Sequence, residues 1–395
     1  MFRFYVSLII FITVTVNLFS QNIITDAEAV NKAIKNSPNI SAATLLVLQQ
    51  KQLVKSSFNL PNPEIFIESP TGNFYTPSIT QSAEFPTVYS KQRQLQKQQV
   101  QLAEIEIQLT ENEVKYQVKQ LYLALQYQVA LNTQLLMQDT VYEKIALSAS
   151  RQFDAGQIDY LQKLFAENEY AEIHNQLLQQ QLNIGNLQQQ LQYLTATAET
   201  FSAEPLNFNP VNNYFVTADS TAFIANPAVQ ILQQQNSIAQ KNVELQKAKS
   251  LPGLAFGYFN QGEKNTPLYN RFRFGFTLPL WYAQYKNAVA AAKTAVAINK
   301  QKTTALQQQF YLQLMQAQNE AAIYARAHQY YQSTGIKKSE EIIAVSNRFF
   351  QSGAYDYITY LRNINSAYQI QQKYLEANKN YQQAILTIKF LTATL

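Results

Sequence analysis

Hydrophobic and polar side chains alternate in two short segments of the chain. In Arg271–Leu278, three phenylalanines and a leucine occupy every second position, with arginine, glycine and threonine between them. Ser78–Phe85 alternates in the same way. A period of two predicts a β-strand with one apolar and one polar face. Turn-rich loops join each segment to a neighbouring strand, so we predict β-hairpins at 63–86 and 253–280.

Most of the remaining chain is predicted to be helical. Two long stretches, 87–204 and 280–395, contain none of the twelve prolines, and helix interiors exclude proline more strongly than any other residue. Each stretch has one glycine flanked by aromatic residues, which predicts a tip between two helices. At about 1.5 Å per residue, each long helix would measure roughly 100 Å. In the first stretch the predicted long helix is 87–152, the tip 153–156 and the returning helix 157–196. In the second stretch they are 281–349, 350–353 and 357–393.

The two halves of the chain repeat one pattern. The tip glycines Gly156 and Gly353 lie 197 residues apart, and earlier proline landmarks recur at offsets from 189 to 193. Slowly drifting offsets are typical of a tandem duplication with small insertions. We therefore predict two repeats, each opening with a helix, and a connector between them. The first repeat is 21–196 and opens with a helix at 26–58. The connector is 197–225. The second repeat is 226–395 and opens with a helix at 227–250.

The N-terminal segment is typical of an export signal. Arg3 precedes an apolar run from Phe4 to Val16, and polar residues follow at once. A membrane anchor is the alternative, but the run is shorter than the roughly 20 apolar residues that a spanning helix needs. We therefore predict a cleaved signal peptide at 1–20 and an exported protein.

Composition argues against most enzyme classes. The chain has no cysteine, which excludes disulfides, thiolate metal sites and cysteine nucleophiles. Its two histidines, His174 and His328, leave little material for a metal centre or a catalytic triad, and both are predicted to lie on helix surfaces. No carboxylates pair in a catalytic pattern, and a net charge of +5 is small for 395 residues. We expect no catalysis, no cofactor, no metal site and no nucleic-acid partner.

The predicted strands have the length and the aromatic ends of membrane-spanning β-strands. A soluble hairpin packed on helices would alternate as well, but the long helices beside both hairpins could not cover them. Four strands cannot close a barrel, which needs about eight, and lipid does not tolerate an open edge. Several chains would therefore share one barrel. Arg271 and Arg273 are predicted to face its lumen and to favour anions there. This preference would be offset by three glutamates on other strands, Glu64, Glu68 and Glu84.

Two copies of helix, hairpin, long helix, Phe-x-x-Gly tip and returning helix resemble the TolC family of outer-membrane efflux proteins, over about residues 25–395. The resemblance implies a mainly α protein with a membrane β-barrel. Three protomers would each give four strands to a twelve-stranded barrel above a periplasmic α-helical tunnel. The resemblance also implies an outer-membrane location. The protein would dock to a periplasmic adaptor protein and, through it, to an inner-membrane pump. The connector and the C-terminus would form a belt around the tunnel.

The resemblance also implies roles for residues at the two tips. Asp159 and Asp356 are predicted to cap the returning helices or to line a gate. Thr359 and Arg362 stand where some family members carry aspartates, so an acidic ring at that level is not expected. Together with Tyr355 they are the gate candidates. The adaptor-docking residues would be Phe153, Gly156, Phe350 and Gly353, although a tight turn by itself explains the glycines.

Two further alternatives stay open. A periplasmic coiled-coil adaptor or scaffold without a channel would also be rich in long helices, but it would usually carry one helical hairpin and glycine-rich β domains. Within the channel interpretation, Glu84–Tyr89 resembles members that serve heavy-metal efflux pumps of the RND type. Multidrug efflux and type I secretion are the other substrate classes.

Overall fold

The structure is a computed structural model that describes residues 22–69, 72, 75–210, 223–260 and 267–395. The predicted signal peptide lies outside the described residues. So do most of the first hairpin loop, the second hairpin loop at 261–266, and residues 211–222 of the predicted connector.

Eight α-helices make up most of the described chain. None of them, within that part, combines the length and the apolar character needed to cross a bilayer. A single π-helical turn, Tyr331–Gly335, joins the sixth helix to the seventh. The helices are α1 Asp26–Asn36, α2 Pro38–Lys55, α3 Pro86–Asp154, α4 Tyr160–Thr195, α5 Pro227–Ala248, α6 Tyr282–Tyr330, α7 Ile336–Gln351 and α8 Tyr357–Leu391.

In the described part of the chain, six strands form two sheets. The strands are β1 Asn22–Ile24, β2 Glu64–Glu68, β3 Thr76–Ala83, β4 Phe201–Ala203, β5 Gly253–Phe259 and β6 Phe272–Thr277. β2, β3, β5 and β6 form one antiparallel sheet in that order, so both hairpins contribute to it. The attached helices keep the same order, because α2 packs on α3, α3 on α5, and α5 on α6. The prediction of two repeats that each give two strands to one sheet is confirmed.

The first helix of repeat one differs from the prediction. A single helix at 26–58 was expected, but the structure has two, separated at Ser37. The Ser37 hydroxyl accepts a hydrogen bond from the Ile40 amide and caps α2. Pro38 follows at the first helical position, where its missing N–H is not needed. The chain therefore has a new helix that begins at Pro38, and not one helix that continues through it.

The segment predicted as a long helix at 281–349 is helical almost throughout, but it contains a π turn. α3 has 69 residues, whereas α6, the π turn and α7 have 49, 5 and 16, one more in total. A π turn has a wider hydrogen-bond ring than an α turn and takes in one extra residue. The insertion in repeat two is thus absorbed locally, and the two tips stay level with each other.

Gly335 lets the π turn pack closely on the last helix. It is buried, and a Cβ atom placed there would lie 2.8 Å from Tyr331 Cδ1 and 3.3 Å from Ile370 Cγ2 in α8. The first distance is too short for a real Cβ contact. The site therefore requires a residue without a side chain.

A hydrophobic core surrounds the small parallel sheet of β1 and β4. The Tyr122 hydroxyl donates a hydrogen bond to the Ile24 carbonyl (2.6 Å) and accepts one from the Glu204 amide (3.0 Å). Tyr122 is buried, so this hydroxyl links α3 to the chain on both sides of repeat one. The N-terminal strand is thus attached to the middle of the long helix.

The prediction that both histidines lie on helix surfaces is half wrong. His174 is partly exposed, with Nδ1 3.0 Å from Asp139 Oδ1. His328 is 1% exposed and stacks on Phe208 with ring centroids 3.5 Å apart. Burial lowers the pKa of His328. It continues the buried face of α6 that includes Leu314 and Ala321, at seven-residue spacing.

We expect Gly335→Ala to destabilise the helical part of the protein by about 1–3 kcal/mol, because the new Cβ overpacks the contact with Tyr331 and Ile370. Gly185→Ala in α4 is the matched control. Nothing lies within 4 Å of an added Cβ there, so helix propensity predicts no loss or a small gain. Thermal unfolding in detergent, followed by far-ultraviolet circular dichroism, would compare them. Equal midpoints would contradict the packing argument.

Candidate functional site

The structure brings the two predicted tips together. The turn between α3 and α4 and the turn between α7 and α8 lie at the same end of the helices, over one hydrophobic cluster built from α3, α4 and α8. We call this set the tip cluster: Tyr142, Ile145, Ala149, Ala166, Ile173, Tyr357, Tyr360, Leu361 and Ile364.

The first tip ends α3 in a Schellman motif. The Gly156 N–H donates to the Phe153 carbonyl (2.8 Å), and the Gln157 N–H donates to the Gln152 carbonyl (2.8 Å). Gly156 has φ +70°, a left-handed conformation that residues with a Cβ disfavour. An added Cβ would meet nothing within 4 Å. The backbone conformation, and not crowding, therefore requires glycine.

The second tip repeats this geometry at the end of α7. Gly353 has φ +76°, its N–H donates to the Phe350 carbonyl (3.1 Å), and the Ala354 N–H donates to the Phe349 carbonyl (2.9 Å). A tight helix end thus accounts for both glycines without any partner. It leaves the surface of both turns exposed.

The two tip phenylalanines have different surroundings. Phe350 stacks on Tyr360, with ring centroids 4.4 Å apart and an angle of 12° between the planes, and so joins the tip cluster. Phe153 packs on its own turn, 5.7 Å from the ring of Tyr160, and the Lys163 ammonium lies 5.0 Å from its ring centre. Phe350 therefore supports the core, and Phe153 belongs to the outer surface of the tip.

Asp159 and Asp356 each cap a returning helix. Asp159 Oδ1 accepts from the Gln162 amide (2.9 Å) and Asp356 Oδ1 from the Thr359 amide (2.8 Å). The hydrogen bonds from these backbone amides are the main reason that the pKa of both carboxyl groups lies below the ordinary value. Side-chain hydrogen bonds from the same two residues lower it further. Both aspartates are exposed, so they remain ionised at neutral pH.

The gate candidates lie around the second cap. Thr359 and Arg362 are exposed, and Tyr355 is half-buried with its ring 5.1 Å from Phe349. The negative charge of Asp159 raises the pKa of Asp356, and the positive charge of Arg362 lowers it. Charged groups from both repeats therefore act on each other at the tip.

Two tyrosines that were not among the predicted site residues fix the second tip. The Tyr357 hydroxyl donates to Ser148 Oγ (2.9 Å), and the Tyr360 hydroxyl donates to Asn347 Oδ1 (2.5 Å). Both tyrosines are buried. Their helical spacing with Leu361 and Ile364 was a signal that could have shown an inward face of α8.

The four-stranded sheet has one apolar face, set by its register. Ile79 pairs with Tyr258, which pairs with Phe272, and Phe256 pairs with Phe274. Directly paired residues point to the same side of a sheet. Phe274 is 76% and Phe276 74% exposed, so no element of the described chain covers this face. The members of this apolar face are Ile65, Ile67, Pro77, Ile79, Gln81, Ala83, Leu254, Phe256, Tyr258, Phe272, Phe274 and Phe276.

The other face of the sheet is mostly polar or small, with Phe66 and Phe259 as its large apolar side chains. Arg273 lies on it, with its guanidinium 3.7 Å from the centre of the Phe259 ring. Gly257 lies beside it, and a Cβ there would approach the Ile79 carbonyl to 3.2 Å. Arg271 ends a 3₁₀ turn before β6, and its Nη1 lies 3.4 Å from the Tyr258 hydroxyl. The turn breaks the alternation, so Arg271 reaches a residue of the apolar face.

The two outer strands of this sheet have free edges in the single chain. β2 pairs with β3 and β6 pairs with β5, and neither has another partner among the described strands. Backbone N–H and C=O groups along both edges are therefore available to a further strand.

Comparison with solved structures identifies the fold. The chain aligns over 93% of its length with 85% of the Campylobacter jejuni CmeC outer membrane channel, at 15% identity and a TM-score of 0.77. The open-state Neisseria gonorrhoeae MtrE outer membrane channel aligns at 12% identity and a TM-score of 0.72, over 94% of this chain and 89% of that one. A membrane protein from Pseudomonas aeruginosa aligns at 12% identity and a TM-score of 0.78, over 94% of this chain and 91% of that one.

No protein-family model and no curated protein sequence matches the chain. At such low identities the structural likeness shows the fold. It confirms the predicted fold class, in which a duplicated helix, hairpin and long-helix unit gives four strands to one sheet.

We expect Asp356→Ala to loosen the first turn of α8 by about 1 kcal/mol, because the Thr359 amide loses its acceptor. Asp356→Asn should retain most of the cap. Asp154→Ala is the control, since Asp154 is also an exposed tip carboxylate but caps no helix. Hydrogen exchange of the α8 amides would measure the difference. Equal protection in all variants would show that the cap contributes nothing.

The pH dependence follows from the sign of the pKa shift. Because folding lowers the pKa of Asp356, its contribution is present above the unfolded value of about 3.9 and is lost as the pH falls through the folded value. Protection of the first α8 turn should therefore decrease below about pH 4 in the original chain. In Asp356→Ala that decrease should be smaller.

Proposed function

We propose that this protein is the outer-membrane channel of a tripartite export system. It would be a passive duct that runs from the membrane into the periplasm and has no catalytic activity of its own. The observation that carries the proposal is the four-stranded sheet, which exposes its apolar face and leaves both edges open.

In water, this sheet would be unfavourable. Side chains such as Ile67, Phe274 and Phe276 would remain hydrated, and contiguous apolar surface of this kind normally marks a protein or membrane contact. In a bilayer the same face is favourable, but both edges must then be paired because lipid offers no hydrogen bonds. Three chains with four strands each would close a barrel of twelve, above the minimum of about eight.

The helices support the same assembly. α3 would extend over roughly 100 Å, which suits a tunnel through the periplasm. α4 exposes Leu161, Leu178 and Leu182 along its length. Apolar residues on a long helix need neighbouring helices, and neighbouring protomers of a homotrimer would provide them.

The paired tips suit docking to a periplasmic adaptor protein. They present two copies of the same turn at the far end from the sheet, with Gly156, Gly353 and the outer face of Phe153 accessible. An inner-membrane transporter would supply the energy through that adaptor. Asp159, Asp356 and Arg362 would adjust the opening, since the charges of Asp159 and Arg362 both influence the pKa of Asp356.

The duct itself would not select among heavy metals, drugs and secreted proteins. The inner-membrane partner would set the cargo class. CmeC and MtrE, which share the fold, are described as outer membrane channels.

Conductance in planar bilayers tests the proposal, with the mass of the detergent-solubilised protein measured alongside. We expect discrete conductance steps from a trimer. Phe274→Arg would place a charge on the lipid-facing side at a cost of about 2–4 kcal/mol per chain at the bilayer centre, so heat-resistant trimers should be lost. Ser82→Arg lies on the polar face and should still assemble, with smaller conductance steps.

A monomer that is soluble without detergent and never conducts would contradict the proposal. That result would favour a periplasmic adaptor or scaffold without a channel. Equal loss of trimers in Phe274→Arg and Ser82→Arg would contradict the assignment of only the apolar face to lipid.

Ion selectivity tests the assignment of the lumen. Arg273 lies on the polar face, so Arg273→Glu should move the reversal potential in a salt gradient towards cation preference. Arg271→Glu is the matched control and should have a smaller effect, because Arg271 lies beside Tyr258. Equal shifts would contradict the assignment of the polar face to the lumen.

A further inference from the structure

Positive charge is concentrated where the strands meet the helices. At the helix-side ends of the four sheet strands and in the ten residues that adjoin each end, the chain has six basic residues and three acidic ones, Glu64, Glu84 and Glu244. The local excess is three positive charges, whereas the net charge of the entire chain is +5. We call the basic set the basic collar: Lys55, Lys91, Arg93, Lys247, Lys249 and Lys286.

Helix stability explains only part of the basic collar. Lys55 and Lys247 lie in the last turns of α2 and α5, where positive side chains are favourable. α3 and α6 instead begin at this level, and neither has an acidic residue in its first turn. Arg93 and Lys286 follow within about two turns, so their charges add to the positive ends of these helices.

Ion pairs do not neutralise the basic collar. Glu244 accepts from Lys91 (2.7 Å) and also from Lys241 (3.0 Å), so one carboxylate serves two cations. Lys247, Lys249 and Lys286 are exposed. The surface at this level is therefore strongly positive and faces solvent in the single chain.

Exposed apolar side chains lie at the same level as the basic collar. Trp281 is 82% exposed, Leu280 78% and Phe58 64%. Trp281 precedes α6 and is five residues from Lys286. Aromatic side chains next to basic ones are typical of the headgroup region of a membrane.

We propose that the basic collar binds the headgroups of anionic phospholipids in the leaflet on the helix side of the sheet. The inference rests on the proposed function, because it requires the apolar face to lie in a bilayer. Ammonium and guanidinium groups would contact lipid phosphates, while Trp281 and Leu280 contact the upper acyl chains. An anionic cargo inside the duct is the competing occupant, but the adjacent apolar side chains favour lipid.

The chain provides its own probe, since Trp281 is its only tryptophan. The trimer would be reconstituted into vesicles that mix phosphatidylcholine with a minor share of phosphatidylglycerol. In one preparation bromine is carried by the phosphatidylglycerol acyl chains, and in another by an equal fraction of the phosphatidylcholine. Bromine quenches tryptophan only at short range. Binding by the basic collar predicts about twofold stronger quenching by the anionic lipid, reduced at high salt.

Matched variants locate the effect. Combining Lys247→Gln, Lys249→Gln and Lys286→Gln should bring the quenching ratio of the two lipids close to one. The control combines Lys144→Gln, Lys337→Gln and Lys373→Gln, three exposed lysines far from the sheet, and should keep the original ratio. Heat-resistant trimers would verify assembly of both variants.

The outcomes separate the inference from the proposed function. Equal quenching by both lipids in the original trimer would overturn the inference and leave the channel intact. An unchanged ratio in the collar variant would do the same, above all if its ion selectivity changed, because the lysines would then face the lumen. No quenching by either lipid would overturn the membrane proposal itself, and the inference with it.

Discussion

An uncovered apolar sheet face sets the conditions for the rest of the molecule. Phe272, Phe274 and Phe276 point to one side of β6, and the chain provides no element to cover them within its described part. The free edges of β2 and β6 impose a second condition, since buried backbone groups must find partners. Both conditions are met if three copies close a barrel in a bilayer. The strand count, the predicted export signal and the long helices are consistent with this proposed assembly.

The helical layer is organised by the sheet above it and by the tips below it. The order of α2, α3, α5 and α6 follows the order of the strands to which they are attached. At the other end, two identical turns share one hydrophobic cluster. These two ends fix the distance between them, so the extra residue in repeat two has to be absorbed along the helix. The π turn at Tyr331–Gly335 absorbs it, and the contact of Gly335 with Ile370 shows how closely α8 follows that turn.

At the tips, the same residues serve local structure and the proposed docking. Gly156 and Gly353 adopt a left-handed conformation, and Asp159 and Asp356 cap the helices that follow. Rigid turns of this kind are suitable for recognition because little conformational entropy is lost on binding. Both ends of the molecule carry charge: basic residues gather beside the sheet, and the tips combine Asp154, Asp159 and Asp356 with Arg151, Arg348 and Arg362.

The sequence by itself determined the features that depend on neighbouring residues. Alternation in 271–278 identified strand β6, the positions of proline and glycine identified the helices and their turns, and repetition of these signals identified the duplication. Tertiary structure decided what depends on residues far apart in the chain. It placed Pro38 at the start of α2, turned Arg271 towards Tyr258, and buried His328 under Phe208. It also paired Asn22 with Phe201 in a parallel sheet. Local patterns fix backbone preference, but burial and pairing are settled only by packing between distant segments.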